Sequence, residues 1–459
     1  MTAAQLPVLP NEPGAEPSSS EAPAINPCTL CAPLGAVLVT CGVRGAISLL
    51  HGGQGCATYI RRYLISHFRE PVDVASSSFG ETQTVFGGED NLIRALENVE
   101  RQYSPEIVAV ATTCVAETVG EDVPLLLKKF NGRREVPLPV VFASTPSYRD
   151  GHIEGFHAMV HSFVDAFAAP VAERSRVVNL LPPLLSPADL RHLREVIQGF
   201  GVSATILPDF SETLDGAIRQ EYRALPPGGT PIEAIAQMAG SLATIDLTMT
   251  GRAPRASELL AKRGTPTKTL GLPIGVRATD ALVEALEQAT SERQPQWMTD
   301  ERGRLLDAYA DGHKYVFGKR VCLYGDPEWV VALAGFLLEI GACPVVCATG
   351  ARNHALEEGL RRYPEGSIDE VLQDVDFSRI EQACRRQNVE LLIGNSKGYS
   401  IARNLEIPLV RGGFPVHDRI GAGRLQVLGY RGTVALFDNI VNTLLTRQQN
   451  ASRVGYSYL

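Results

Sequence analysis

A chain of 459 residues, 44% hydrophobic and 20% charged, has ample material for buried cores, and its length suggests about two to four domains. A formal net charge of −8 without a long basic run argues against a nucleic-acid-binding protein. No stretch of about 18 consecutive apolar residues offers a transmembrane helix.

The first 24 residues, "MTAAQLPVLPNEPGAEPSSSEAPA", have neither a basic start nor an apolar run and do not read as a secretory signal. Their Pro, Ser, Ala and Glu content predicts a short disordered N-terminal arm. Without a secretion signal, the nine cysteines are expected to be reduced thiols in a cytoplasmic protein. Downstream, strand and helix patterns alternate. "AVLVT" (36–40), "EIVAVAT" (106–112) and "LPVVFA" (138–143) are short apolar runs suited to strands covered on both faces of a parallel sheet. Between them, "DNLIRALENVERQY" (90–103) carries apolar residues at 92, 93, 96 and 99, a helical stripe. A second set opens with "SRVVNLLPPL" (175–184). The helix "SPADLRHLREVIQGFG" follows, with Ser186 placed as cap and Pro187 in the first turn, and then "SATILPDF". A third set runs through "GKRVCLYGDPEWVVALAGFLLEIGACPVVCATG" (318–350), "VELLIGNSKG" (389–398) and "IPLVRGGFP" (407–415). This alternation predicts α/β architecture with doubly wound parallel sheets. The expected division is an arm over 1–24, a first domain over 25–174, a second over 175–295, and a third with the C-terminal tail over 296–459.

Ligands of open α/β sheets collect outside the carboxyl ends of strands. Three residues of the first domain fall at such positions. Cys114 follows "IVAVATT", Ser147 follows "VVFASTP", and Cys56 ends the glycine-rich "HGGQGC" (51–56). Thiolates are soft ligands for zinc, copper(I) or iron–sulfur clusters. A cluster needs close backbone approach, and Gly52, Gly53 and Gly55 permit it. Zinc explains this turn less well, because only Cys28-Thr29-Leu30-Cys31 has short paired spacing. That pair ends the arm and does not sit at a strand-to-helix junction, as a redox C-x-x-C does. Cys41, Cys322, Cys343, Cys347 and Cys384 read as core thiols. His157 and His161 share a helix face, but no H-E-x-x-H pattern accompanies them, and they read as solvated or hydrogen-bonded side chains. Neither a G-x-x-x-x-G-K-[ST] loop nor a G-x-S-x-G elbow is present. "RIGAGRLQVLGYRG" (419–432) lacks the preceding strand of a dinucleotide fingerprint. Cys31, Cys56 and Cys114 make three ligands, whereas a four-iron cluster takes four. Either Cys28 completes a cluster within the chain, or a partner supplies the remainder.

"NPCTLCAPLGA", "HGGQGCATYIRRYLISHFREP", "FGGEDNL", "TTCVAETVGED" and "ASTPSYRDGH" resemble, in order, the cluster-binding blocks of the nitrogenase component 1 β-subunit family. "RGRLLDAYADGHKYVFGKRVCLYGDPEWV", "IGNSKG" and "VRGGFPVHDR…LGYRG" resemble its third domain. The resemblance implies three Rossmann-like domains and pairing with an α-type subunit in an α2β2 heterotetramer. It also implies an [8Fe-7S] P-cluster at the α–β interface, with Cys31, Cys56 and Cys114 as this chain's ligands. Ser147 matches a serine that ligates iron when the cluster is oxidised. An ATP-dependent homodimeric iron protein delivers electrons, and the iron–sulfur-based catalytic cofactor lies in the partner. The resemblance therefore assigns no catalytic residue to this chain. His51, the Gly52–Gly55 turn and "SSSFGE" (76–81) are expected to surround the cluster. Cys28 and the short arm depart from the molybdenum enzyme, "TTCVAETVGED" leans towards the cofactor-assembly scaffolds, and "HGGQGC" is closer to the vanadium and iron-only enzymes. The mixture resembles a nitrogenase-like reductase, with methylthio-alkane reductase, which cleaves C–S bonds, as the expected subtype. The alternatives are a true nitrogenase β subunit, a cofactor-assembly scaffold and a single-chain four-iron protein.

Overall fold

The structure, a computed structural model, describes residues 28–453 apart from 172, 219, 222, 252–254 and 353. The expected arm over 1–24 lies outside the described residues. Strands β1 (Ala46–His51), β2 (Val74–Ser76), β3 (Ile107–Thr112) and β4 (Val140–Ala143) form a first sheet in the order β2-β1-β3-β4. Strands β5 (Ser175–Leu181), β6 (Ser203–Ile206), β7 (Ser241–Asp246) and β8 (Thr267–Thr269) form a second in the order β6-β5-β7-β8. Strands β9 (Arg320–Tyr324), β10 (Cys343–Ala348), β11 (Glu370–Leu372), β12 (Leu391–Gly394) and β13 (Leu409–Arg411) form a third in the order β11-β10-β9-β12-β13. Every pairing is parallel. The apolar runs explain this: β3 is buried at all six positions, as a strand covered by helices on both faces must be. The expected α/β architecture of three parallel-sheet units is therefore present.

The first sheet is accompanied by α1 (Ala32–Cys41), α2 (Gln54–Phe68), α3 (Glu81–Phe86), α4 (Glu89–Tyr103), α5 (Cys114–Val119), α6 (Val123–Gly132) and α7 (His152–Phe167). One expectation fails here. "AVLVT" is not a strand but the second half of α1. This helix is buried from Ala32 to Thr40, so every face meets protein and no 3.6-residue alternation survives in its sequence. Pro33 suits its first turn, where a missing N–H costs nothing. α1 packs on α7 backbone against backbone. A Cβ on Gly35 would lie 1.8 Å from the His152 carbonyl oxygen, and one on Gly155 would lie 1.9 Å from that of Ala32.

The buried thiols gather in the third unit. Cys322 and Cys347 lie inside β9 and β10, and Cys384 lies in the helix Phe377–Arg386. Cys28 joins this group and is neither a surface thiol nor a neighbour of "HGGQGC". It packs in one apolar cluster with Cys322, Tyr324 and Cys384. Its N–H donates to the Val375 carbonyl at 3.2 Å, and its own carbonyl accepts from Gly350 N–H at 3.1 Å. Burial, reinforced by Asp326, pushes its thiol up to about 12. A thiol held protonated in a core is a poor metal ligand. Cys28→Ala should therefore leave the iron content of the assembled protein unchanged. It should lower stability by about 1 kcal/mol, as trimming a buried apolar group does. Iron quantification beside a denaturant titration checks both.

Candidate metal centre

β1 and β3 are neighbours in the first sheet, but the chain leaves them towards β2 on one side and β4 on the other. The boundary between them is the switch point at which such sheets bind ligands. Cys56 stands on the first turn of α2, just past β1, and Cys114 is the first residue of α5, just past β3. Ser147 lies beyond β4. Cys31 arrives from the other direction, as the cap residue of α1, and an isolated antiparallel bridge to Gly151 fixes it there. The Ala32 N–H donates to Ser147 Oγ at 3.1 Å, and the same hydroxyl hydrogen-bonds the Cys31 sulfur. His152 secures the approach of this segment. Its Nδ1 accepts from Leu30 N–H at 3.3 Å, and its Nε2 lies 3.0 Å from Asp326 Oδ1.

Cys31 and Cys56 are exposed and Cys114 is half-buried. Burial raises the Cys31 thiol, Ser147 opposes that, Cys114 raises it further, and Lys397 lowers it. Cys56 is raised by burial and then by Cys31 and Cys114. The three sulfurs thus lie close enough to disfavour each other's thiolates, and a positively charged metal group would relieve that repulsion. Among the described residues, no three His, Cys, Asp or Glu converge on a single metal ion. Cys31 and Ser147 also line a cavity of ≈380 Å³ with Tyr59, Tyr63, Arg352 and Lys397.

The three glycines of "HGGQGC" do different things. Gly52 has φ +152°, and a Cβ there would lie 1.8 Å from Thr113 Oγ1, so it lets the ends of β1 and β3 close on each other. Gly53 and Gly55 have nothing within 4 Å of where a Cβ would be. A glycine inside a helix costs about 0.5–1 kcal/mol relative to alanine, so the reason for Gly55 lies outside this chain's own packing. That open space leaves room for a bulky group or a partner chain. His51 braces the turn from beneath. It is fully buried, with Nδ1 3.0 Å from Ser77 Oγ and Nε2 2.8 Å from Glu121 Oε2. Burial lowers its pKa, and Glu121 pulls the other way. Ser77 Oγ also accepts from Gly52 N–H at 2.9 Å, and Phe79 N–H donates to the Gly52 carbonyl at 2.9 Å. The segment 76–81 thus supports the turn. Thr113, Glu121 and Lys397 were not legible as site residues, because no local pattern marks a contact made across strands or between sheets.

The family described as "Nitrogenase component 1 type Oxidoreductase" matches residues 31–445. The nitrogenase molybdenum-iron protein beta chain of Methanothermobacter thermautotrophicus is 36% identical over 434 residues, covering 92% of this chain and 94% of that one. The chain of the same description from Clostridium pasteurianum is 36% identical over 428 residues, covering 92% and 93%. A solved structure titled "Nitrogenase Cp1 at pH 6.5" superposes with a TM-score of 0.92 at 34% identity, covering 97% of this chain and 98% of that one. A second, "Nitrogenase Cp1 at pH 5", shares the fold with a TM-score of 0.70 at 15% identity, covering 95% and 92%.

Proposed function

The chain belongs to the nitrogenase component 1 type oxidoreductases as a β-type subunit, and on that premise we propose that Cys31, Cys56 and Cys114 form its half of an [8Fe-7S] P-cluster shared with an α-type subunit. The observation that carries this reading is the trio at one switch point with Cys28 buried elsewhere, which leaves a cluster short of ligands unless a second chain contributes. Bound there, an iron–sulfur group supplies one-electron storage and transfer. This chain's residues set its surroundings. The Gly53–Gly55 face admits it, Ser147 stands beside Cys31 as a spare oxygen ligand, and Lys397 offers a positive charge from the third unit. The His51–Ser77–Glu121 bracing holds the turn still, so that electron transfer costs little reorganisation. The first domain, proposed over 25–174, is then the cluster-binding one.

Partners follow from the same reading: an α-type subunit in an α2β2 assembly, and an ATP-dependent homodimeric iron protein as electron donor. Apolar side chains around the cysteines support a covered face. Phe86 is 83% and Val85 71% exposed on α3, which packs against the Cys114 helix, and Tyr59 is exposed on the Cys56 helix. No helix among the described residues is long and apolar enough to cross a membrane, and a cytoplasmic location is proposed. As subtype we propose methylthio-alkane reduction, supported by the departures in "HGGQGC", Cys28 and "TTCVAETVGED" from the molybdenum enzyme. A true nitrogenase β subunit is the second reading, favoured by the descriptions of the relatives above.

Air-free iron quantification with EPR tests the cluster, on the chain co-purified with its α-type partner and on the chain alone. A redox-active signal only in the complex is expected. About four irons on the isolated chain would overturn the shared site. Turnover assays separate the subtypes, a hydrocarbon from a methylthio compound against ammonia from dinitrogen. Donation of the cluster to an apo-enzyme without turnover would point to an assembly scaffold.

A further inference from the structure

α7 carries a second arrangement that an electron relay at Cys31, Cys56 and Cys114 does not use. His157 and His161 lie one turn apart on this helix, and both line a cavity of ≈590 Å³. Its other walls include Ser144 past β4, Thr250 past β7 and Pro327 at the head of the helix that follows β9. The cavity thus sits at the carboxyl ends of one strand from each of the three sheets, the end at which α/β folds bind ligands. Of the two expected states, solvated or hydrogen-bonded, the second is not met: neither histidine shows a hydrogen bond among the described residues, and both are half-buried. The Nε2 of His157 is buried without a hydrogen-bond partner among the described residues. Orphaned buried nitrogens are rare, because leaving one unmet costs about 1–3 kcal/mol. Burial, with Arg255 acting in the same direction, lowers the pKa of His157 to about 4. Asp150 and Glu154 add negative charge to the cavity wall. Arg149 is engaged with Asp150 at 2.6 Å, and Glu154 also accepts from the Gly151 N–H.

We propose that His157 and His161 bind a divalent transition-metal ion of the imidazole-preferring class, such as Zn²⁺ or Ni²⁺, as a pair one helical turn apart. Imidazole suits this class, and hard cations such as Mg²⁺ do not compete for it. No third His, Cys, Asp or Glu among the described residues joins the pair. Water or a small anionic ligand in the cavity fills the remaining positions, so the ion is exchangeable and its outer face is open to a ligand. The site is separate from the cysteine trio, and it stands whether or not the cluster reading does.

The test uses the intact complex, equilibrated air-free with one equivalent of Ni²⁺ per β-type chain, desalted, and read by nickel K-edge X-ray absorption. That signal is distinct from iron and separates nitrogen from sulfur neighbours. The expected result is retention of about one nickel per chain in a nitrogen and oxygen shell with imidazole scattering. His157→Ala and His161→Gln should each abolish that retention while iron content and thermal midpoint stay at wild-type values. If His157→Ala does not fold, His161→Gln decides alone. A sulfur shell, no retained nickel, or equal retention in His161→Gln overturns the site.

Discussion

Alanine at Cys31, Cys56 or Cys114 should strip iron from the assembled protein and abolish turnover, while the isolated chain keeps its fold. The two halves of this expectation come from the same geometry. Each thiol stands at a helix start, two of them exposed and one half-buried, and none fills a core of this chain. Surface changes of that kind shift stability by only about 0.5 kcal/mol either way. Contacts beyond the ligands themselves are worth about 10–100-fold in metal affinity, so removal of a ligand should exceed that. Iron per complex, the EPR signal of the reduced and oxidised forms, and a circular-dichroism melt of the chain measure the effect. Full iron and full activity with all three replaced would sink the cluster assignment. Cys28→Ala, which removes a thiol of the same type from a core three residues away, is the internal control.

Gly52→Ala and Gly55→Ala should act in opposite senses on the chain and on the complex. At Gly52 the backbone has φ +152°, and the new methyl would meet Thr113 Oγ1. Thr113 is tied to β1, its N–H donating to the His51 carbonyl at 3.0 Å, and cannot move away freely. Strain at such a conformation costs about 1–3 kcal/mol, and overpacking adds about as much. The chain alone should therefore lose stability, and the ends of β1 and β3, which aim Cys56 and Cys114, should spread. At Gly55 the methyl meets nothing within 4 Å and improves helix propensity by up to about 1 kcal/mol. The isolated chain should be as stable as wild type or slightly more so, whereas iron loading of the complex should fall. Denaturant titration of the chain and iron analysis of the complex separate the two. Full iron in Gly55→Leu would show that the space belongs to solvent and to neither cluster nor partner.

Strands β3, β4, β5, β6, β9, β10, β12 and β13 were legible because a strand covered on both faces is a short unbroken apolar run, as in β3, whereas β1, β2, β7, β8 and β11 carry no such mark and were missed. The same rule failed at α1. A helix buried on every side also reads as an unbroken apolar run, and its length is hidden when a proline and small residues flank it. The cysteines were legible as a set from glycine-rich or strand-end surroundings, but their grouping was not. Cys28 and Cys31 are three residues apart and look like a pair. The extended segment that joins them turns one thiol into the core of the third unit and leaves the other at the surface of the first.

Residue type and order by themselves determined the class of fold, the three candidate thiols and the family resemblance, because these depend on local period, turn chemistry and ordered motifs. Only the tertiary structure decided which glycine the chain itself requires and which face open space. It also decided that His51 braces the turn through Ser77 and Glu121, and that the Nε2 of His157, beside a cavity, has no partner among the described residues. Those facts depend on strand register and on how three sheets meet. Distant residues are brought together there by packing energies to which no short stretch of sequence contributes more than a part.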